Sequence, residues 1–223
     1  MNCKKCKNKC IKNGLQTNGK QRFYCKTCKI SQQAVYTYNA YKTSTNYNIY
    51  KLLVNSCGIS DISRVLNISR YTVVKRLLFI SNLISTPVLR EYNQSYEIDE
   101  IHAKVKGMGR NCYIAYAINR KTKQVVNFCI GNRTALQLSN VVNSVLLLNP
   151  KRIYTDKLGS YKKIIPSNIH KTGKIFTNKI ERHHLNLRTH LKCLSRKTLC
   201  YSKSLKTIKA IIKIYFFGYT LNF

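Results

Sequence analysis

The sequence predicts a layered α/β domain preceded by a small cysteine-rich ribbon and a helix-turn-helix. Three observations predict it. Two Cys-x2-Cys pairs stand within the first 28 residues. Residues 46–86 carry helical apolar spacing broken by one short turn. Beyond Pro87 the pattern changes to strands followed by helices. Charge sets the context: 40 Lys and Arg against 7 Asp and Glu give +33 on 223 residues that are 44% hydrophobic. Such a chain can bury a core, so it is not a disordered basic tail. Its charge calls for a polyanionic partner, nucleic acid before anionic lipid.

The ribbon rests on Cys3, Cys6, Cys25 and Cys28. Each Cys-x2-Cys turn brings two thiolates close enough to share one tetrahedral ion, and two such turns complete a closed structural Zn2+ site. The bland alternative is four reduced cysteines without metal. Residues 14–25 read as the hairpin between the two knuckles, with Gly and Asn at its turn. Cys10 is a fifth candidate ligand that reads better as a bystander, and Cys57, Cys112, Cys129, Cys193 and Cys200 read as small core residues. Residues 1–20 show no apolar run, and the greasiest stretch, 211–217, is interrupted by Lys213. No secretory signal, no membrane span and a reducing cytoplasm are therefore expected.

The next elements follow in order. Residues 31–45 are a polar connector with Tyr36, Tyr38 and Tyr41 alternating. Ile49, Leu52 and Leu53 mark a first helix, and Gly58 interrupts it. Residues 59–66 form a short helix with Ser60 or Asp61 near its start. Asn67-Ile68-Ser69 is a turn whose serine caps a helix over 70–83. Short helix, three-residue turn and basic-fronted second helix make the helix-turn-helix pattern. Arg70, Tyr71, Thr72, Lys75 and Arg76 would then read bases in a major groove. An ordinary helical hairpin with a solvated basic face is the alternative.

After Pro87, strands are expected over 95–106, 111–118 and 125–130. Gly107 and Gly109 form the first turn, and residues 119–122 the second. A helix over 134–148 stops at Pro150. A short strand over 152–155 ends at Asp156, and 157–177 is loop-like with short elements. Helices over 179–196 and 202–219 close the chain. The expected domains are 1–30, 46–86 and 92–223.

On so basic a chain each acid is informative. Asp61 and Glu91 read as a cap and a linker surface. The other five fall in three places: Glu97, Asp99 and Glu100 on the first strand, Asp156 past the fourth, and Glu181 at a helix start. Buried acids are costly unless paired or metal-bound. Three converging carboxylates would suit hard cations such as Mg2+ and phosphodiester chemistry. Taken singly, each acid could be a surface residue or a salt-bridge partner. Glu181, His184, Arg188 and Lys192 at i, i+3, i+7 and i+11 share one helix face, a carboxylate with phosphate-binding cations beside it.

Several stretches resemble one family closely. They are Gly-Lys-Gln-Arg-Phe-Tyr-Cys-Lys-Thr-Cys at 19–28, Glu-Ile-Asp-Glu at 97–100 and Tyr-Thr-Asp-Lys-Leu-Gly-Ser-Tyr at 154–161. Two more are the long block at 180–198, which opens Ile-Glu-Arg-His-His-Leu, and Tyr-Ser-Lys-Ser at 201–204. Together they resemble transposases of the insertion-sequence-one family, bacterial Asp-Asp-Glu enzymes. The resemblance implies a ribonuclease H-like catalytic domain with Asp99, Asp156 and Glu181 as the Mg2+ (or Mn2+) triad. It implies that ribbon and helix-turn-helix bind the terminal inverted repeats, and that Arg188 matches a basic position on the catalytic helix. Double-stranded DNA, both element ends and target, would be the partner of a homodimer or higher oligomer at the nucleoid. The implied activity is 3′-end cleavage and strand transfer. The sequence departs from the family at His102, where a Trp is usual, and at His183-His184, where Asn-Asn is usual. The rival readings are a sequence-specific DNA-binding regulator from an inactive copy, a nuclease or integrase of the same fold, and an RNA-binding ribbon protein.

Overall fold

The computed structural model describes residues 1–87, 91–107 and 112–221; the expected turn residue Gly109 and strand start Asn111 lie outside them. Two compact units result, Met1–Thr43 and Ser44–Phe223. Residues 46–86 thus share a unit with 92–223.

In the first unit, β1 (Ile11–Leu15), β2 (Gln21–Cys25) and β3 (Ile30–Gln33) form an antiparallel sheet in that order. The β1–β2 turn closes through Gly19 N–H to the Gln16 carbonyl at 2.9 Å, with Gly19 at φ 75°. That left-handed backbone is why glycine stands there.

The second unit opens with α1 (Thr45–Val54), α2 (Ile59–Leu66) and α3 (Arg70–Leu83). Asp61 reaches back to the Gly58 N–H at 2.9 Å and so caps α2 from its third residue. Asn67 ends α2 in a left-handed conformation (φ 49°), and Ser69 Oγ accepts from the Thr72 N–H at 3.1 Å to start α3. The serine cap is where the sequence puts it.

The α/β body is a five-stranded sheet of β4 (Ser95–His102), β5 (Tyr113–Asn119), β6 (Val125–Gly131), β7 (Arg152–Thr155) and β8 (His170–Thr172), in the order β6-β5-β4-β7-β8. The first three strands are antiparallel; β7 and β8 join parallel to β4. The strand expected over 95–106 ends at His102, and the loop expected over 157–177 contains α5 (Gly159–Ile164) and β8. Three residues with one outward-facing lysine are too short to show period-two alternation, which hides β8 from the sequence.

Helix α4 (Ala135–Leu146) and α5 cover one face of the sheet, where Tyr96, Ile98, Ala117, Val141, Val145, Ile153 and Tyr161 are buried together. The other face meets α6 (Asn178–His190) and α7 (Leu205–Phe217) through Tyr116, Phe128, His183 and Phe216. Helix α7 is apolar except for a stripe of Lys206, Lys209 and Lys213, because it packs on β6 and also on α1 and α3. No helix among the described residues is long and apolar enough to cross a membrane.

Glu97 fixes α6 on the sheet. Its side chain is wholly buried, takes the Arg120 Nε at 2.7 Å and accepts the Ile180 N–H at 2.9 Å. Thr177 offers α6 no side-chain cap, so the carboxylate from β4 satisfies a first-turn amide and faces the positive end of the helix. Glu97→Ala should cost about 3–5 kcal/mol, the scale for breaking one side of a buried pair. A chemical-denaturation midpoint measures it. Glu97→Gln, which keeps an oxygen for the Ile180 amide, should lose less, and an unchanged midpoint in Glu97→Ala would refute this anchoring role.

Candidate active site

The parallel register of β4 and β7 pairs Glu97 with Tyr154. Two residues further on stand Asp99, in the middle of β4, and Asp156, just past the end of β7, so the two lie where the parallel β4–β7 pairing ends. This is where open α/β sheets place their ligand sites. Glu100 joins them: one side-chain oxygen from each of Asp99, Glu100 and Asp156 lies within 4.8 Å of the others. All three are partly accessible.

Each carboxylate has distinct support. Asp99 accepts the Glu100 N–H at 2.8 Å, and Asp156 accepts the Leu158 N–H at 2.9 Å. Glu100 takes the hydroxyl of buried Tyr161, on the α5 side of the sheet. Burial, with Glu100, Asp156 and Glu181 adding to it, pushes the Asp99 carboxyl up to about 7 against one hydrogen bond that lowers it. Burial also raises Glu100, with Asp156 contributing. Three clustered acids on so basic a chain, two of them with raised proton affinity, are an all-oxygen donor set that fits a hard divalent cation.

Glu181, in the first turn of α6, is exposed and lies outside the group of three, while its charge still reaches Asp99. One turn on, His184 Nδ1 comes within 3.8 Å of Asp99 Oδ2. Burial, then Arg188 and His183, hold His184 down to about 4, so it is neutral at pH 7 and the approach is not an ion pair. The Nε2 of His184 and the Nε of Arg188 are buried without a hydrogen-bond partner among the described residues. Arg188 lines a cleft of about 370 Å³ with His102, Lys104, Arg196 and Lys197, and no carboxylate lines it.

Lys192 departs from the expected face. Helix α6 stops at His190, Leu191 is extended, and Lys192 belongs to a separate 3-10 turn with its stem near Gly58. The leucine spacing that suggests a helix through 196 spans two elements. Of the α3 residues, Arg70, Tyr71 and Lys75 are exposed, Thr72 and Arg76 half-buried, and Lys75 sits 4.9 Å over the Tyr71 ring. Tyr71 and Lys75 occupy the side of α3 away from Val73, Leu77 and Ile80, while Arg70, Thr72 and Arg76 flank that buried stripe.

The ribbon cysteines also converge. The sulfurs of Cys3, Cys6, Cys25 and Cys28 lie within 4.8 Å of one another, with Cys6 and Cys25 at 3.5 Å. Tetrahedral thiolate ligation at ~2.3 Å requires sulfurs about 3.8 Å apart. The residue after each pair, Lys7 and Lys29, is left-handed (φ 64° and 54°), so the two knuckles share one turn. Knuckle amides donate to sulfur, holding the Cys3 thiol down to about 6 and lowering Cys25. Cys10 stands outside the four, donating to the Asn8 carbonyl and accepting from Gln32.

Residues 94–219, more than half of the chain, match the family described as IS1 transposase. The chain belongs to the IS1 transposase family. Among its relatives is the insertion element iso-IS1n protein InsB of Shigella dysenteriae. The two are 37% identical over 116 residues, 52% of this chain and 88% of the relative. The insertion element IS1 2 protein InsB of Escherichia coli strain K12 is 35% identical over 122 residues, 53% of this chain and 71% of the relative. Two solved structures are also similar. One is a chain of the simian T-cell lymphotropic virus intasome in complex with PP2A regulatory subunit B56 gamma, with TM-score 0.41 and 14% identity over 75% of this chain and 68% of that one. The other is the catalytic core domain of BIV integrase, with TM-score 0.37 and 13% identity over 55% and 83%. The match to the IS1 family spans Asp99, Glu100, Asp156 and Glu181; the ribbon and α1–α3 precede it.

Sequence reasoning did not single out Glu97 as an anchor or Glu100 as a cluster member. All three acids of the 97–100 stretch look alike until the strand's alternation is set against its neighbours. In the absence of a bound cation, folded Asp99 keeps its proton up to about pH 7, whereas its ordinary value is 3.8. The folded state binds the extra proton between those values, so Asp99 lowers stability as pH rises through that window. Asp99→Asn should therefore raise the melting temperature of the cation-free protein at pH 8, by on the order of a few degrees, and leave it near wild type at pH 4. A lower melting temperature at pH 8 would contradict the crowding.

Proposed function

We propose that this IS1-family transposase cleaves the 3′ ends of its element and joins them to target DNA, using Asp99, Asp156 and Glu181 as the ligands of divalent cations. The observation that carries the reading is the convergence of Asp99, from the middle of β4, with Asp156, just past the end of the adjacent parallel strand β7. The strand order, three antiparallel strands and two parallel ones, supports a ribonuclease H-like assignment. Glu181 sits in the first turn of a helix anchored to β4 through Glu97, and its charge reaches Asp99. Glu100 is a further candidate ligand from the same strand.

Mg2+ or Mn2+ bound there supplies Lewis-acid stabilisation of the phosphate oxygens and a more acidic nucleophile. The carboxylates orient around the reacting phosphate, and neutral His184 leaves Asp99 ionisable beside it. Arg188, Lys104, Arg196 and Lys197 offer phosphate contacts in the adjoining cleft. The chemistry is a hydrolysis that frees a 3′-hydroxyl. A transesterification follows, in which that hydroxyl replaces the 3′-oxygen of a target phosphodiester. No side chain of the protein becomes covalently attached.

The exposed front of α3 (Arg70, Tyr71, Thr72, Lys75 and Arg76) suits a helix-turn-helix reading the inverted repeats. The four cysteines suit structural Zn2+. Holding two ends together calls for a homodimer or larger assembly. Purified protein should carry one zinc per chain by elemental analysis. Its removal by a strong chelator should collapse the amide dispersion of residues 1–43 while 44–223 keeps its spectrum. The decisive assay is strand transfer with purified protein, Mg2+ and donor DNA bearing the element ends. Asp156→Ala should lower joined product by about 100-fold or more. Binding at the ends with neither cleavage nor joining would favour the DNA-binding regulator instead.

A further inference from the structure

The connector after the ribbon builds a second cleft, distinct from the carboxylate site. Its volume is about 380 Å³, and Gln16, Asn18, Gln33, Tyr36, Tyr38 and Tyr41 line it. The tyrosines form a cluster: Tyr36 and Tyr41 rings lie 4.6 Å apart and tilted, and Tyr38 meets Tyr41 edge-on at 6.2 Å. Three large side chains are left facing solvent, with Tyr41 62% exposed. Lys4 Nζ stands 4.5 Å over the Tyr36 ring. Across the cleft, Gln33 donates to Gln16 Oε1, which fixes the amide of Gln16. Asn18 is fixed too, its Oδ1 accepting the Lys20 N–H at 3.1 Å. With each oxygen engaged, both amide nitrogens remain to donate.

This is an aromatic shelf facing a row of oriented amides, on a unit with no carboxylate. Residues 1–43 hold ten Lys and Arg and no Asp or Glu. Aromatic surface exposed in an all-cationic setting suits a ligand that is flat, apolar on its faces, polar on its edge and tied to anionic phosphate. A nucleotide has all four properties. A base inside a duplex hides its faces, so the shelf can be used only by a base that has left the stack.

We propose that the tyrosine cleft of residues 1–43 binds one unpaired nucleotide of DNA, with its base stacked on the exposed ring of Tyr41 and its edge read by the amides of Gln16 and Asn18. DNA as the polymer rests on the transposase reading; the base-binding role of this unit goes beyond it. The cleft adds a preference for distorted or unpaired DNA to the sequence-independent pull of the lysines.

The test uses the full chain and fluorescence anisotropy with two dye-labelled DNA hairpins, one fully paired and one carrying a single unpaired thymine. The wild type should bind the bulged hairpin about tenfold more tightly, the scale of one base–aromatic stack. Tyr41→Ala should bring the two affinities together, while Tyr41→Phe, which keeps the ring, retains the preference. Unchanged zinc content shows that Tyr41→Ala leaves the ribbon folded. If zinc is lost, Asn18→Ala on the exposed turn should reduce the preference in its place. Equal affinity of the wild type for the two hairpins would overturn the proposal, as would a preference that survives Tyr41→Ala. Equal or tighter binding of the matching RNA hairpin would overturn the choice of DNA. Strand transfer is scored separately: its failure with the bulge preference intact would count against the catalytic reading alone.

Discussion

A single wholly buried carboxylate, Glu97, ties together the parts that make the active end of the molecule. It lies on β4, it neutralises Arg120 from the turn after β5, and it takes an amide from the uncapped first turn of α6. Burying that charge is costly in itself and is tolerated because each oxygen has a charged or dipolar partner. Because α6 is fixed at its first turn, the three residues that follow on one face, Glu181, His184 and Arg188, are placed against the end of β4. Two strand residues beyond Glu97 comes Asp99. The anchor and the site therefore share one strand and one helix, and a shift in either would move both.

The same economy governs all seven acids. Asp61 caps α2 and Glu91 receives Asn119 and Thr122 near the start of β4. Glu97 anchors α6. What remains, Asp99, Glu100, Asp156 and Glu181, surrounds one end of the sheet. On a surface where cations outnumber acids almost six to one, carboxylates could have been scattered as salt-bridge partners. Among the described residues only Asp61 and Glu97 pair with Lys or Arg. Burial and the neighbouring acids raise the proton affinity of Asp99 and Glu100, as expected of a group arranged for something other than stability.

Much of this was legible in the residues and some was not, for physical reasons. The Cys-x2-Cys spacing is a covalent-geometry constraint, and the four sulfurs converge as it requires. Ser69 as a cap and β7 running into Asp156 are local signals, and both stand as read. Lys192 failed because leucine periodicity continues past Leu191 while the backbone turns extended there. β8 is three residues long and carries no pattern. The wide apolar face of α7 is plain in the sequence, but only the packing shows its cause: α1 and α3 cover apolar surface that the sheet does not. Glu97 and Glu100 needed the sheet register, since alternation assigns faces only when the neighbours of each face are known.

The charge pattern of the site has a consequence for how cation and DNA binding relate. A phosphate approaching Asp99, Glu100 and Asp156 meets like charges in a partly desolvated setting, while Lys104, Arg188, Arg196 and Lys197 attract it a short distance away. Without a cation, DNA would be held by the basic cleft but kept back from the carboxylates. On the proposed reading, a divalent ion held by these carboxylates would remove the repulsion, and each ligand would then strengthen the other by the same factor, since the coupling is a property of the ternary complex. The unpartnered guanidinium nitrogen of Arg188 sharpens this: a buried donor with nothing to bond is most easily satisfied by the phosphate that the cation allows to enter. The basic cleft and the acidic cluster thus work as one device. One half supplies attraction that falls steeply with salt, and the other withholds the reactive position until a cation is present.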